Sequence, residues 1–246
     1  MFSIRSVSKT YPNATIALQN ISADIAHGEF VALLGPSGCG KSTLLRLLAG
    51  LEAPSKGAIE WDNAQRPGPG DIGFVFQDAT LLPWADAADN VYLPLRLRGE
   101  RRANAAGRIQ AALAQVELTE FAHARPKALS GGMKMRVSIA RALVSDPQLL
   151  LMDEPFAALD EFTRHRLQDD LHALWLRSGK TIVFVTHSIY EAAYLASRIL
   201  IMSPRPGCIA ADIRAAIPEG GNRRTSPEYA NLVAQITETF RRIMPA

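Results

Sequence analysis

Long apolar runs are missing from this chain of 246 residues: none exceeds five residues, and FVALL at 30–34 is one of that length. A helix crossing a bilayer needs about 20 apolar residues, so no such span is expected. The opening MFSIRSVSKTY lacks the apolar core of a secretory signal. Cysteine is scarce, at two residues, Cys39 and Cys208. That excludes a disulfide framework, and Cys39 lies inside a glycine-rich turn that a disulfide would block. A reducing, cytosolic compartment is the expectation. Excess charge is also missing: 27 Lys and Arg stand against 24 Asp and Glu, for a net charge of +3. No long Lys/Arg run breaks that balance, so no nucleic-acid partner is expected. There is no internal repeat and no low-complexity tract.

Hydrophobic residues are plentiful, at 48%. The length fits one large domain, or a domain with a lobe inserted into it. Strands are predicted at 2–7, within 14–25, and at 30–34, 58–61, 72–76, 149–152, 181–185 and 199–202. A helix is predicted over 41–51, with Leu44, Leu45, Leu48 and Leu51 on one side. NAQRPGPGD at 63–71 reads as a loop. Residues 86–145 are rich in Ala, Arg and Leu, with Ile109, Leu113 and Val116 at helical spacing, and read as an inserted helical lobe. Leu167, Leu171, Leu174 and Trp175 mark one face of a further helix. Strands alternating with helices predict an α/β fold with a parallel sheet. Ser226 and Pro227 open a final helix as cap and first residue.

One stretch carries chemistry. Gly35, Pro36, Ser37, Gly38, Cys39, Gly40, Lys41 and Ser42 fit G-x-x-x-x-G-K-[ST] between an apolar strand and a helix that continues through Thr43. Glycines let backbone N–H groups wrap phosphates, and the helix start adds positive potential. Lys41 would reach the β- and γ-phosphates, and Ser42 would ligate Mg²⁺, which prefers oxygen. LLLMDEP supplies the acidic counterpart. Asp153 emerges from a buried strand to hold Mg²⁺, and Glu154 follows as candidate general base for an attacking water. Read alone, the competing reading is two solvated acids at a strand end. ALSGGMKMRVSIARAL at 128–143 adds a second anion-binding helix start, with Ser130 as cap and Gly131 and Gly132 leaving the backbone bare.

LSGG, a basic helix and then LLLMDEP resemble the ATP-binding cassette (ABC) family, over about residues 3–228. The resemblance implies a P-loop NTPase of RecA-like core, an antiparallel β lobe and an inserted helical lobe, followed by a helical tail at 229–246. It also implies roles. Tyr11 would stack on adenine. Gln77 would touch Mg²⁺ and link to a transport partner. Asp160 would lie in the loop after the acidic strand, and His187 near the γ-phosphate. Lys41, Gln77, Glu154 and His187 form the implied catalytic set, and Ser42, Gln77 and Asp153 the metal set. Met133, Met135 and Ser188 depart from the commonest family residues.

ATP and Mg²⁺ are the implied ligands. Two chains would sandwich two ATPs, each between residues 35–42 of one chain and the Ser130 helix of the other. The partners implied are a second copy, a separate membrane permease and, indirectly, a periplasmic solute-binding protein. The location implied is the cytoplasmic face of the inner membrane, peripherally. LLPWADAADNVYLPLRLRG, DEPFAALDEFTR and MSPRPG resemble the nitrate, sulfonate and taurine importers, a group that includes carriers of pyrimidine precursors. The chain stops soon after one cassette, with no large regulatory domain expected. A soluble non-transport cassette ATPase and an exporter ATPase subunit remain the alternatives.

Overall fold

A computed structural model describes residues 1–62, 67–68, 70–215 and 223–244. The chain forms two compact units, Met1–Arg66 with Thr181–Ala246, and Pro67–Lys180. Most of the loop predicted at 63–71 lies outside the described residues. Among the described residues, no helix is long and apolar enough to cross a membrane.

The first unit contains an antiparallel layer in the order β2 (Ile16–Ile25), β1 (Phe2–Thr10), β4 (Lys56–Trp61). Gly57 permits that pairing. At φ 78°, a Cβ there would lie 2.4 Å from the carbonyl oxygens of Arg5 and Ser6. The unit's other strands run in the order β7 (Thr181–Thr186), β3 (Phe30–Leu34), β8 (Arg198–Met202), β9 (Ile209–Arg214). β3 is parallel to β7 and β8, and β9 is antiparallel to β8. Every residue of β3, β7 and β8 is buried, as their continuous apolar runs require for strands covered on both faces. Arg198 in β8 is the charged exception, held by both carboxylate oxygens of Asp212 at 2.9 and 2.6 Å.

Helix α1 (Lys41–Ala49) is shorter than the 41–51 expected. Gly50 adopts the left-handed conformation and ends it, so Leu51 is 62% exposed and leaves the buried face of Leu44, Leu45 and Leu48. α6 (Ile189–Leu195) and α7 (Pro227–Ile243) complete the unit. Ser226 caps α7 through Tyr229 N–H with Pro227 in the first turn, as expected.

In the second unit β5 (Ile72–Val75) pairs in parallel with β6 (Leu149–Asp153). Among the described residues four α-helices accompany them, α2 (Ala87–Leu97), α3 (Arg102–Gln115), α4 (Gly131–Leu143) and α5 (Glu161–Ser178). Ile109, Leu113 and Val116 are buried on and just after α3, and Leu167, Leu171 and Leu174 on α5, as their spacing predicts. Asn90, fully buried on α2, fastens the preceding turn by accepting from Leu82 N–H and donating to the carbonyls of Leu82, Ala85 and Asp86.

Candidate functional site

In the first unit, Leu34 at the end of β3 pairs in register with Thr186 of β7 and Ile201 of β8. Loop 35–42, His187 and Ser203 therefore leave the parallel strands at one carboxyl edge, where open α/β sheets bind ligands. Gly38 and Gly40 take φ of 75° and 102°, which only glycine adopts cheaply. A Cβ on Gly40 would lie 2.6 Å from Leu18 Cδ2, so the loop is pressed against β2. Lys41 is only 4% exposed, and its ammonium donates to the carbonyls of Gly35 at 2.8 Å and Pro36 at 3.0 Å. A cation is thus held inside a glycine turn that opens a helix, the arrangement an anion needs. Ser37 and Gly38 are exposed, Ser42 is half-buried and Thr43 is buried.

Tyr11 is anchored beside the first turn of α1. Its hydroxyl lies 3.3 Å from Thr43 Oγ1 and donates to Glu52 Oε1 at 3.3 Å. Lys9 lies over the Tyr11 ring and pairs with Glu52 at 3.1 Å. Glu52 and Lys9 were not singled out by the sequence, since nothing local marks a carboxylate 41 residues away as Tyr11's partner. His187 is exposed at the end of β7. The turn after it is tied down. Ser188 caps α6 through Glu191 N–H, while Thr186 Oγ1 donates to Glu191 Oε2 and accepts from Ser188 N–H. Ser188 thus performs the capping that an aspartate could perform there.

The second unit gathers its own predicted residues in two groups. Val75 and Met152 pair in register, so Gln77 and the pair Asp153 and Glu154 leave adjacent strands side by side. Gln77 is exposed, and Asp153 and Glu154 are half-buried. Glu154 has φ 44°, a left-handed conformation costly for a residue with a Cβ. The turn is held by the fully buried Phe156 and by Ala157 N–H donating to Glu154 O. In the other group Ser130 Oγ caps α4 by accepting from Met133 N–H at 3.2 Å. Gly131 is exposed, but Gly132 is buried for a packing reason. A Cβ there would lie 2.4 Å from Thr163 Cγ2. Thr163 N–H in turn donates to Asp160 Oδ1, which caps α5. That bond holds the Asp160 carboxyl below its ordinary range. Of the two methionine departures, Met133 is half-buried and Met135 is core.

Arg141, three turns along α4, grips the segment just past Gln77. Its guanidinium donates to Ala79 O at 2.8 Å, Thr80 O at 2.9 Å and Thr80 Oγ1 at 3.0 Å, and burial pushes it below its ordinary pKa. Thr80 has φ 45°, so the grip holds a strained turn. Arg141→Ala is expected to cost about 2 kcal/mol or more in chemical denaturation, with Arg141→Lys recovering part. A midpoint unchanged in both variants would remove this anchoring role.

A family profile described as ABC transporter matches residues 18–157. A taurine import ATP-binding protein of Rhizobium johnstonii is 45% identical, covering 92% of this chain and 89% of that protein. A taurine import ATP-binding protein of Yersinia pestis is 50% identical over 78% of this chain and 75% of its own length. Among solved structures, a dimeric ATP-binding cassette in a post-hydrolysis state with ADP and Pi superposes with a TM-score of 0.77 at 34% identity. That match covers 89% of this chain and all of the cassette. A glycine turn enclosing Lys41, an acidic strand end and a capped LSGG helix accompany this extent of similarity, and the chain belongs to the ABC transporter family, among its ATP-binding proteins.

Proposed function

We infer that this chain is the ATP-hydrolysing subunit of an importer, driving uptake of a small solute of the nitrate, sulfonate, taurine or pyrimidine-precursor class through a separate permease. The observation that carries the ATPase reading is the register of β3 with β7, which sets loop 35–42 and His187 at one carboxyl edge. The taurine-import relatives support import, and weigh against a soluble cassette ATPase or an exporter subunit.

The roles follow from the side chains. Backbone N–H groups of 38–43 bind the phosphates, and Lys41 exchanges its two loop carbonyls for phosphate oxygens. Tyr11 offers its ring to adenine. Glu154 accepts a proton from the attacking water, and His187 donates to the γ-phosphate. ATP and water become ADP and phosphate. Ser42, Gln77 and Asp153 are hard oxygen donors and would hold Mg²⁺. When bound, the metal ion would supply positive charge to offset that of the phosphates. Two copies of the chain sandwich two ATPs, with the Ser130 helix of one facing the loop of the other. The dimeric form of the solved cassette supports this arrangement. The domain spans about 3–228 with a tail beyond it, and the chain works at the cytoplasmic face of the inner membrane, served indirectly by a periplasmic solute-binding protein.

The permease docks on the second unit, next to Gln77. There a groove of about 400 Å³ is lined by Phe76, Leu93, Pro94, Leu97, Arg98 and Arg141, among others. Trp84 is 71% exposed at the turn Asn90 fastens. Trp84→Glu is expected to weaken copurification with the permease about tenfold or more, as loss of an interface aromatic does, with an unchanged melting temperature. If no surface substitution across 78–95 changes copurification, the docking site lies elsewhere.

A further inference from the structure

The segment MSPRPG at 202–207 has no part in the roles above, yet in the first unit it is built against the phosphate loop. Ser203 follows β8 at the edge where Gly35 follows β3. A Cβ on Gly35 would lie 3.0 Å from Met202 O. A Cβ on Gly207 would lie 1.9 Å from Cys39 O, so no side chain fits at that position. Gly207 is pinned to β2, donating to Ala17 O at 3.1 Å and accepting from Gln19 N–H at 2.9 Å. Ser203 closes the turn. Its N–H donates to Cys208 O and its Oγ accepts from Cys208 N–H. From this turn Arg205 reaches the phosphate loop, with Nε at 3.2 Å and Nη2 at 3.0 Å from the same acceptor, Gly38 O.

We propose that Arg205 is a positioning residue of the phosphate loop, setting which way the Gly38–Cys39 peptide faces. The proposal rests on reading 35–42 as the phosphate cradle. Gly38 is exposed at φ 75°, so no Cβ prevents its peptide from flipping. One orientation offers an anion the Cys39 N–H, and the other offers it a repelling carbonyl. In the structure the Cys39 N–H donates within the loop to Pro36 O at 3.4 Å, the same carbonyl that Lys41 reaches. Gly38 O faces outward to the guanidinium. A fixed cation on that oxygen favours the orientation with N–H inward and polarises the N–H as a donor. Arg205 therefore acts through the backbone, without touching phosphate.

The test is nucleotide titration of the purified full-length chain, with apo melting temperatures measured alongside. Arg205→Ala is expected to weaken ATP and ADP alike by about tenfold, the size of one charge-assisted hydrogen bond. Its apo melting temperature should stay unchanged, and Arg205→Lys should recover part of the affinity. Three results overturn the proposal. ATP and ADP affinities unchanged within about twofold would show that the contact does not act on the cradle. Weakened ATP with unchanged ADP would make Arg205 a direct γ-phosphate ligand. An apo melting temperature lowered in both variants, in step with lost affinity, would make it a scaffold contact. Lys41→Ala run in parallel separates the levels. If it still binds ATP, the cradle reading falls and takes this proposal with it. If it loses ATP while Arg205→Ala keeps it, this proposal alone falls.

Discussion

Glu154→Gln is expected to bind ATP as well as the parent does and to hydrolyse it roughly 10³-fold more slowly, within the range a positioned general base contributes. The exchange keeps the side chain's size and removes only its ability to take a proton. Glu154 follows Asp153, the last residue of β6, in a left-handed turn held by Phe156 and Ala157. That strain serves a purpose if the carboxylate must face one direction. With binding intact and the chemical step blocked, ATP should remain trapped between two chains. Phosphate release at saturating ATP, with the permease present, checks the rate, and turnover near the parent value would remove Glu154 from this role.

The second large effect concerns the two helix starts proposed to hold phosphate, those of α1 and α4. Lys41→Ala removes the ammonium that donates to the carbonyls of Gly35 and Pro36 inside the loop. A loss of about 100-fold in ATP affinity is expected, the scale of two charge-assisted hydrogen bonds. Ser130→Arg removes the cap that accepts from Met133 N–H and sets a bulky side chain at the start of α4. Its own phosphate loop is unchanged, so single-chain ATP binding should survive while occlusion between two chains is abolished. Filter retention of labelled nucleotide distinguishes the two losses.

Much of this site was legible because it is written in local runs. Four-residue apolar stretches became β6, β7 and β8 within a residue or so. The glycine spacing of 35–42 and the caps at Ser130 and Ser226 needed only their neighbours. What escaped depends on distance along the chain. Arg205 meets Gly38 across 167 residues, and Arg141 meets Ala79 across 62. No periodicity announces such pairs. β9 escaped because IAADIR carries only one buried residue and pairs at one side of β8. α6 escaped because its seven residues are too few to show a stripe, and its start is set by the Thr186, Ser188 and Glu191 bonds. The sequence alone marks Gly132 as bare for an anion, and the structure adds that a Cβ there would lie 2.4 Å from Thr163 Cγ2.

The central claim is that each ATP is shared, held by loop 35–42 of one chain and the Ser130 helix of another. Lys41→Ala and Ser130→Arg, each in a Glu154→Gln background, should fail to occlude ATP as separate homodimers. Mixed and verified as a heterodimer, they leave one site with both lesions and one with an intact loop and an intact helix. The measurement is occluded ATP per mixed dimer. The account predicts one nucleotide, half of what the Glu154→Gln parent traps. No occluded ATP in that mixed dimer, where the parent traps it, would contradict the shared site.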